Sequence, residues 1–97
     1  MFDKMKSLMD MQKKMLDMKR DLDNTTFEIA SSCGLVKIKM NGSQELKEIF
    51  IEGELSVIPK DKLERALKDA ISRAIKRSHD LGAQKMKEQI GFKLPGL

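Results

Sequence analysis

Between residues 3 and 22 the apolar side chains fall at Leu8, Met11, Met15, Met18 and Leu22, spaced three, four, three and four apart. No Gly or Pro interrupts the run. That spacing is the seam of a helix that packs along its length on another helix. A second stripe, Phe2, Met5, Met9 and Leu16, widens the apolar face. Twenty helical residues extend about 30 Å. A chain of 97 residues makes one small domain, and such a domain cannot cover that face over its whole length. The economical cover is a second copy of the same helix, which predicts a homodimer with a helical arm over 1–23.

The middle of the chain changes period. Phe27 and Ile29 alternate with polar neighbours, Val36, Ile38 and Met40 alternate with Lys37 and Lys39, and Ile49 and Ile51 follow in a third run. Period two means strands with one apolar side. Ser31-Ser32-Cys33-Gly34 reads as the first turn. Asn41-Gly42 reads as a hairpin turn whose two residues tolerate positive φ. The expectation is a three-stranded antiparallel meander over 25–53, with its apolar side in need of a cover.

Pro59 and Asp61 open a last helical segment, expected over 60–90. Its stripe is Leu63, Leu67, Ala70, Ile71, Ala74 and Ile75, the period of a helix packed on one side. Gly82 is expected to loosen it. Residues 91–97 contain two glycines and a proline and read as a mobile tail. The order is α-β-β-β-α, an α+β fold in one domain, with no linker long enough to divide it.

Charge narrows the function. Six basic side chains meet five acidic ones in 1–24, three meet five in 25–58, and ten meet five in 59–97. Positive potential is therefore concentrated in the last helix, where it steers anionic partners. No apolar run suits a membrane span or a signal peptide. A single cysteine, Cys33, excludes an internal disulfide and fits a reducing, cytoplasmic setting. One histidine and no ligand cluster exclude the usual zinc sites. Ser78-His79-Asp80 is no triad, because adjacent helix positions point apart. No enzyme, cofactor, metal or small-molecule substrate is expected.

The stretch Gly34-Leu35-Val36-Lys37-Ile38-Lys39-Met40-Asn41-Gly42 is similar to the central signature of the YbaB/EbfC family of nucleoid-associated proteins. Leu46 to Ile51, the helix around Leu63-Glu64-Arg65-Ala66-Leu67, the closing Leu94-Pro95-Gly96 and the Met- and Lys-rich first helix extend the likeness along nearly the whole chain. Ser31-Ser32-Cys33 stands where the family often has further glycines, and Ile51-Glu52-Gly53 replaces its usual exit from the third strand.

The resemblance implies a bacterial, cytoplasmic, nucleoid-located protein that binds duplex DNA as a tweezer-like homodimer, with weak or modest sequence preference. Candidate phosphate contacts are Lys13, Lys14, Lys19, Arg20, Lys62, Arg65, Lys68, Arg73, Lys76 and Arg77. Candidate interface residues are Leu8, Met11, Met15, Met18, Leu22, Val36, Ile38, Ile49 and Ile51. The competing reading is a protein–protein adaptor that grips a partner with its Met-rich arms and touches no DNA.

Overall fold

The computed structural model describes the backbone of residues 2–90 and the side chains of residues 5–88. The elements run α1 (Phe2–Asn24), β1 (Thr26–Ala30), β2 (Val36–Asn41), β3 (Leu46–Ile51), a short 3-10 turn (Leu55–Val57) and α2 (Lys60–Ile90). The expected α-β-β-β-α order is therefore the observed one. The 3-10 turn is an addition to it. Residues 91–97, read from sequence as a tail, lie outside the described residues.

The sheet is a meander in the order β1-β2-β3, antiparallel throughout. Register places Ile29, Ile38 and Ile49 in one row across the three strands, and Val36 beside Ile51. Their side chains share one side of the pleat. On the other side Glu28, Lys39 and Glu48 make a second row of alternating charge, which suits a face left to water.

The cover on the apolar side is α2. Ala66, Ala70 and Ala74, one turn apart, are almost fully buried against Val36, Ile38 and Met40. Small side chains let the helix axis come close to the sheet, and Phe27, Ile29, Leu35, Leu63 and Leu67 fill the margins. The helix lies over β2 and β1. Consequently Ile49 and Ile51 of β3, read as inward, are on the correct side of the sheet but remain 46% and 37% exposed. One helix is about 10 Å wide and two strand spacings about as much, so a single helix leaves the third strand open.

Gly82 does not loosen α2, which continues unbroken through it to Ile90. α1 packs on α2 as well as on β2. The chain is elongated, 67 × 25 × 16 Å.

The turn after β2 corrects the expected role of Gly42. Positive φ occurs at Gln44 (64°), and not at Asn41 or Gly42. Gly42 is glycine because α1 passes against it. A Cβ there would stand 2.7 Å from Leu22 Cδ2 and 3.0 Å from the Leu22 carbonyl oxygen. The Gly42 N–H donates to the carbonyls of Leu22 and Thr25, both at 2.9 Å. Next to it, fully buried Asn41 uses its whole amide. Its Nδ2 donates to the Asp23 carbonyl at 3.1 Å and to Glu45 Oε1 at 2.9 Å, and its Oδ1 accepts from the Ser43 and Glu45 N–H groups. The hairpin therefore fixes where α1 leaves the domain. The first turn follows expectation: Gly34 has φ 76° and its N–H donates to the Ser31 carbonyl at 2.9 Å.

Candidate nucleic-acid interface

The geometry of α2 sorts its charges. Successive residues advance about 100° around a helix. With the Ala66–Ala70–Ala74 stripe on the sheet, Lys62, Arg65, Arg73 and Lys76 fall within an arc of about 80° on one flank. Ile71 and Ile75 fall on the other flank and are 36% and 44% exposed. Arg77 lies about 40° beyond Arg73, in phase with the Ala66–Ala70–Ala74 stripe although exposed, and Lys68 lies on the outer side past Arg65. The basic arc runs about 21 Å along the axis from Lys62 to Lys76.

Asp69 lies inside this arc. Its Oδ2 accepts the Ser32 N–H at 2.8 Å, which ties the β1–β2 turn to the helix. Both its oxygens accept from Arg73 Nε, at 3.1 and 3.2 Å. These bonds, with Ser32 first and Arg73 second, hold the Asp69 carboxyl below its ordinary pKa. Beside it, Ser32, Cys33, Lys62, Arg65, Ala66 and Asp69 line a cleft of about 370 Å³. The Cys33 thiol at its edge is exposed, and its pKa is also lowered. The Ser31 hydroxyl is the main cause, followed by the Leu35 N–H, with Lys62 adding a smaller attraction.

The other basic residues named from sequence are more scattered. Lys19 pairs with Asp23 at 3.3 Å across one turn of α1. Arg65 pairs with Asp61 at 3.5 Å, both side chains 74% exposed. Lys13, Lys14 and Arg20 are exposed on α1, interleaved with Asp10, Asp17 and Asp21. Lys62, Arg65, Arg73 and Lys76 of α2 thus gather on one flank around Asp69, whereas the α1 cations alternate with Asp10, Asp17 and Asp21.

The apolar candidates divide likewise. Val36 and Ile38 are fully buried under α2 of the same chain, and Met18 is 8% exposed. Val36 and Ile38 leave almost no surface for a second chain, because α2 already occupies it, whereas Met18 still lines an apolar groove on α1. Leu22 is half-buried. Leu8, Met11 and Met15 remain exposed, as do Ile49 and Ile51. On α1 an apolar groove of about 520 Å³ runs between Gln12, Met15, Leu16, Met18, Lys19 and Leu22.

Sequence reasoning missed Asp69 and its hold on the β1–β2 turn. The four-residue spacing of Asp69 and Arg73 was a visible signal for the ion pair. Nothing local signals the Ser32 contact, which joins residues 37 apart. Among the described residues no three His, Cys, Asp or Glu side chains gather as a metal site, and no helix is long and apolar enough to cross a membrane.

The structure thus combines an antiparallel meander under one helix with a helical arm and a basic helix flank. The chain belongs to the YbaB/EbfC DNA-binding family, whose model matches residues 1–92. It is 34% identical over 96 residues to a nucleoid-associated protein of Dictyoglomus thermophilum, covering 99% of this chain and 89% of that one. It is also 34% identical over 96 residues to a nucleoid-associated protein of Pelotomaculum thermopropionicum, covering 96% and 90%. The crystal structure of an uncharacterized Helicobacter pylori protein has the same fold. It superposes with a TM-score of 0.80 at 22% identity over 94% of this chain and 98% of that one.

Proposed function

We propose that this protein binds duplex DNA as a homodimer, through basic side chains that contact phosphate, and serves the nucleoid in the cytoplasm. The observation that carries the reading is the two-sided character of α2. Lys62, Arg65, Arg73 and Lys76 gather on one flank, and Ile71 and Ile75 stand exposed on the other. A second copy set against Ile71, Ile75, Ile49 and Ile51 covers the part of the sheet that one helix leaves open. It doubles the basic surface while keeping it in water. Family membership and the names of the relatives support DNA as the anion.

Phosphate contact gives affinity without reading sequence. Base readout needs side chains placed in a groove, and the basic arc consists of Lys and Arg on a helix flank. The expected preference is therefore weak or modest. No catalytic step belongs to this reading.

The α1 groove favours a second reading, an adaptor that holds a partner helix on Met15, Leu16, Met18 and Leu22. Salt separates the two. Apolar docking survives salt, whereas phosphate contact releases counterions and weakens steeply. A gel shift on duplex DNA over a salt series, with light scattering in the same buffer, makes the test. A dimer neutralising about six phosphates gives a log K against log salt slope near −5. A chain that ignores DNA at low salt contradicts the DNA reading and favours the adaptor.

A further inference from the structure

We propose that Asp69 is a positioning residue for the DNA contact of Arg73. The inference rests on the DNA-binding reading above and deepens it. Charge counting alone makes Asp69 an obstacle, since an acid within a basic arc repels phosphate. The geometry assigns it the opposite effect.

Arg73 meets Asp69 through Nε, its inner nitrogen, at 3.1 and 3.2 Å from the two carboxylate oxygens. A guanidinium carries five N–H donors, and Nε supplies one. The four on the terminal nitrogens form the planar fork that suits a phosphate. Asp69 thus holds the arginine by its stem side and leaves the fork for another acceptor. The Arg65–Asp61 pair differs, because Arg65 uses a terminal nitrogen at 3.5 Å between two highly exposed side chains.

The carboxylate is itself held. The Ser32 N–H donates to Oδ2 at 2.8 Å from the β1–β2 turn, so the anchor spans two elements. It does not depend on the freedom of one side chain. An arginine already fixed loses less conformational freedom when phosphate arrives. Lys62 and Arg65, lining the adjoining cleft, add charge to the same side.

The test is a double-mutant cycle on DNA affinity across a salt series, with Asp69→Asn, Arg73→Ala, Arg73→Lys and the two double variants. The amide introduced by Asp69→Asn keeps an oxygen for the Ser32 N–H, and thermal melting identifies variants that remain folded. Arg73→Ala weakens binding and lowers the magnitude of the salt slope by about two, one contact for each chain of the dimer. Asp69→Asn weakens binding about fivefold, although it makes the chain more positive. In the Arg73→Ala and Arg73→Lys backgrounds the same change no longer weakens binding and strengthens it slightly, because no inner nitrogen remains to be held. If Asp69→Asn strengthens binding equally in every background, Asp69 is merely a repelling charge and the proposal is overturned. If Arg73→Ala changes neither affinity nor slope while the wild-type chain binds DNA, Arg73 is not a contact and the proposal falls alone. If the wild-type chain binds no DNA, the underlying reading falls with it.

Discussion

Ser78 on α2 donates its hydroxyl hydrogen to the carbonyl oxygen of Gly42 at 2.8 Å, across 36 residues of sequence. Gly42 in turn donates its N–H to the Leu22 carbonyl at 2.9 Å. Both helices and the β2–β3 hairpin therefore meet at one backbone unit, and Ser78 is 1% exposed there. The direction of the α1 arm is set at this junction.

Substitution at the junction is expected to be costly on both sides. Gly42→Ala forces a methyl group onto Leu22, and overpacking of this kind costs about 1–3 kcal/mol. Ser78→Ala leaves the buried Gly42 carbonyl without the hydroxyl it now has, at about 1–2 kcal/mol. Urea denaturation of each variant measures both. Wild-type midpoints would show that the arm is not seated here.

Gln44 holds a φ of 64°, a conformation that costs an ordinary side chain about 1 kcal/mol. Asn adopts it more readily. Gln44→Asn is expected to stabilise the chain by about 0.5 kcal/mol, seen as a higher urea midpoint at unchanged slope.

The β2–β3 turn shows how far the sequence could be read. Period-two alternation located the three strands because one side of the pleat is buried, and the Leu63-to-Ile75 stripe located α2 because it packs on that side. Asn41-Gly42 correctly marked a hairpin, but for the wrong reason. The close approach of Leu22 that requires glycine comes from an element 20 residues earlier, and local pattern carries no trace of it. The same limit explains the apolar candidates. Val36 and Ile38 share a period with Ile49 and Ile51, yet only the lateral placement of α2 decides which pair is covered. Among the cations, helix phase grouped Lys62, Arg65, Arg73 and Lys76, whereas the tie from Asp69 to Ser32 depends on tertiary structure alone.

Two carboxylates contribute to the acid limb of stability. The Ser43 hydroxyl, then Lys19, lowers the pKa of Asp23 below its ordinary 3.8, and the Ser32 N–H, then Arg73, does the same for Asp69. A depressed folded-state pKa stabilises the fold above the unfolded value and loses that effect as pH falls through the folded one. Stability is therefore expected to decline below about pH 4. Asp23→Asn should flatten the decline when unfolding is followed by circular dichroism from pH 7 to pH 2. An identical pH profile in the variant would contradict the assignment.

Cys33 should react as a thiolate at lower pH than an ordinary cysteine, because Ser31 and the Leu35 N–H stabilise the anion. The pH profile of iodoacetamide alkylation should shift downwards accordingly. Ser31→Ala should move it back up while weakening the β1–β2 turn, since Ser31 Oγ also accepts the Val36 N–H at 3.1 Å. A profile unchanged by that substitution would remove Ser31 as the cause.

The proposed dimer surface has a direct test in charge. Ile49→Asp and Ile75→Asp place a carboxylate where the single chain is already half exposed, so folding should survive. Light scattering is expected to report a monomer for the double variant and a dimer for the wild type. A dimer that persists in the folded variant places the interface elsewhere, with the α1 stripe as the next surface to change.

Whether the α2 basic flank carries the DNA contact is decided by the salt dependence of DNA binding when Arg73→Ala, Lys76→Ala and Arg77→Ala are combined. The expected result is a folded dimer that binds more weakly, with a markedly shallower slope of log K against log salt, because fewer phosphate contacts release fewer counterions. A folded triple variant with wild-type affinity and slope would contradict that role and move the contact away from α2.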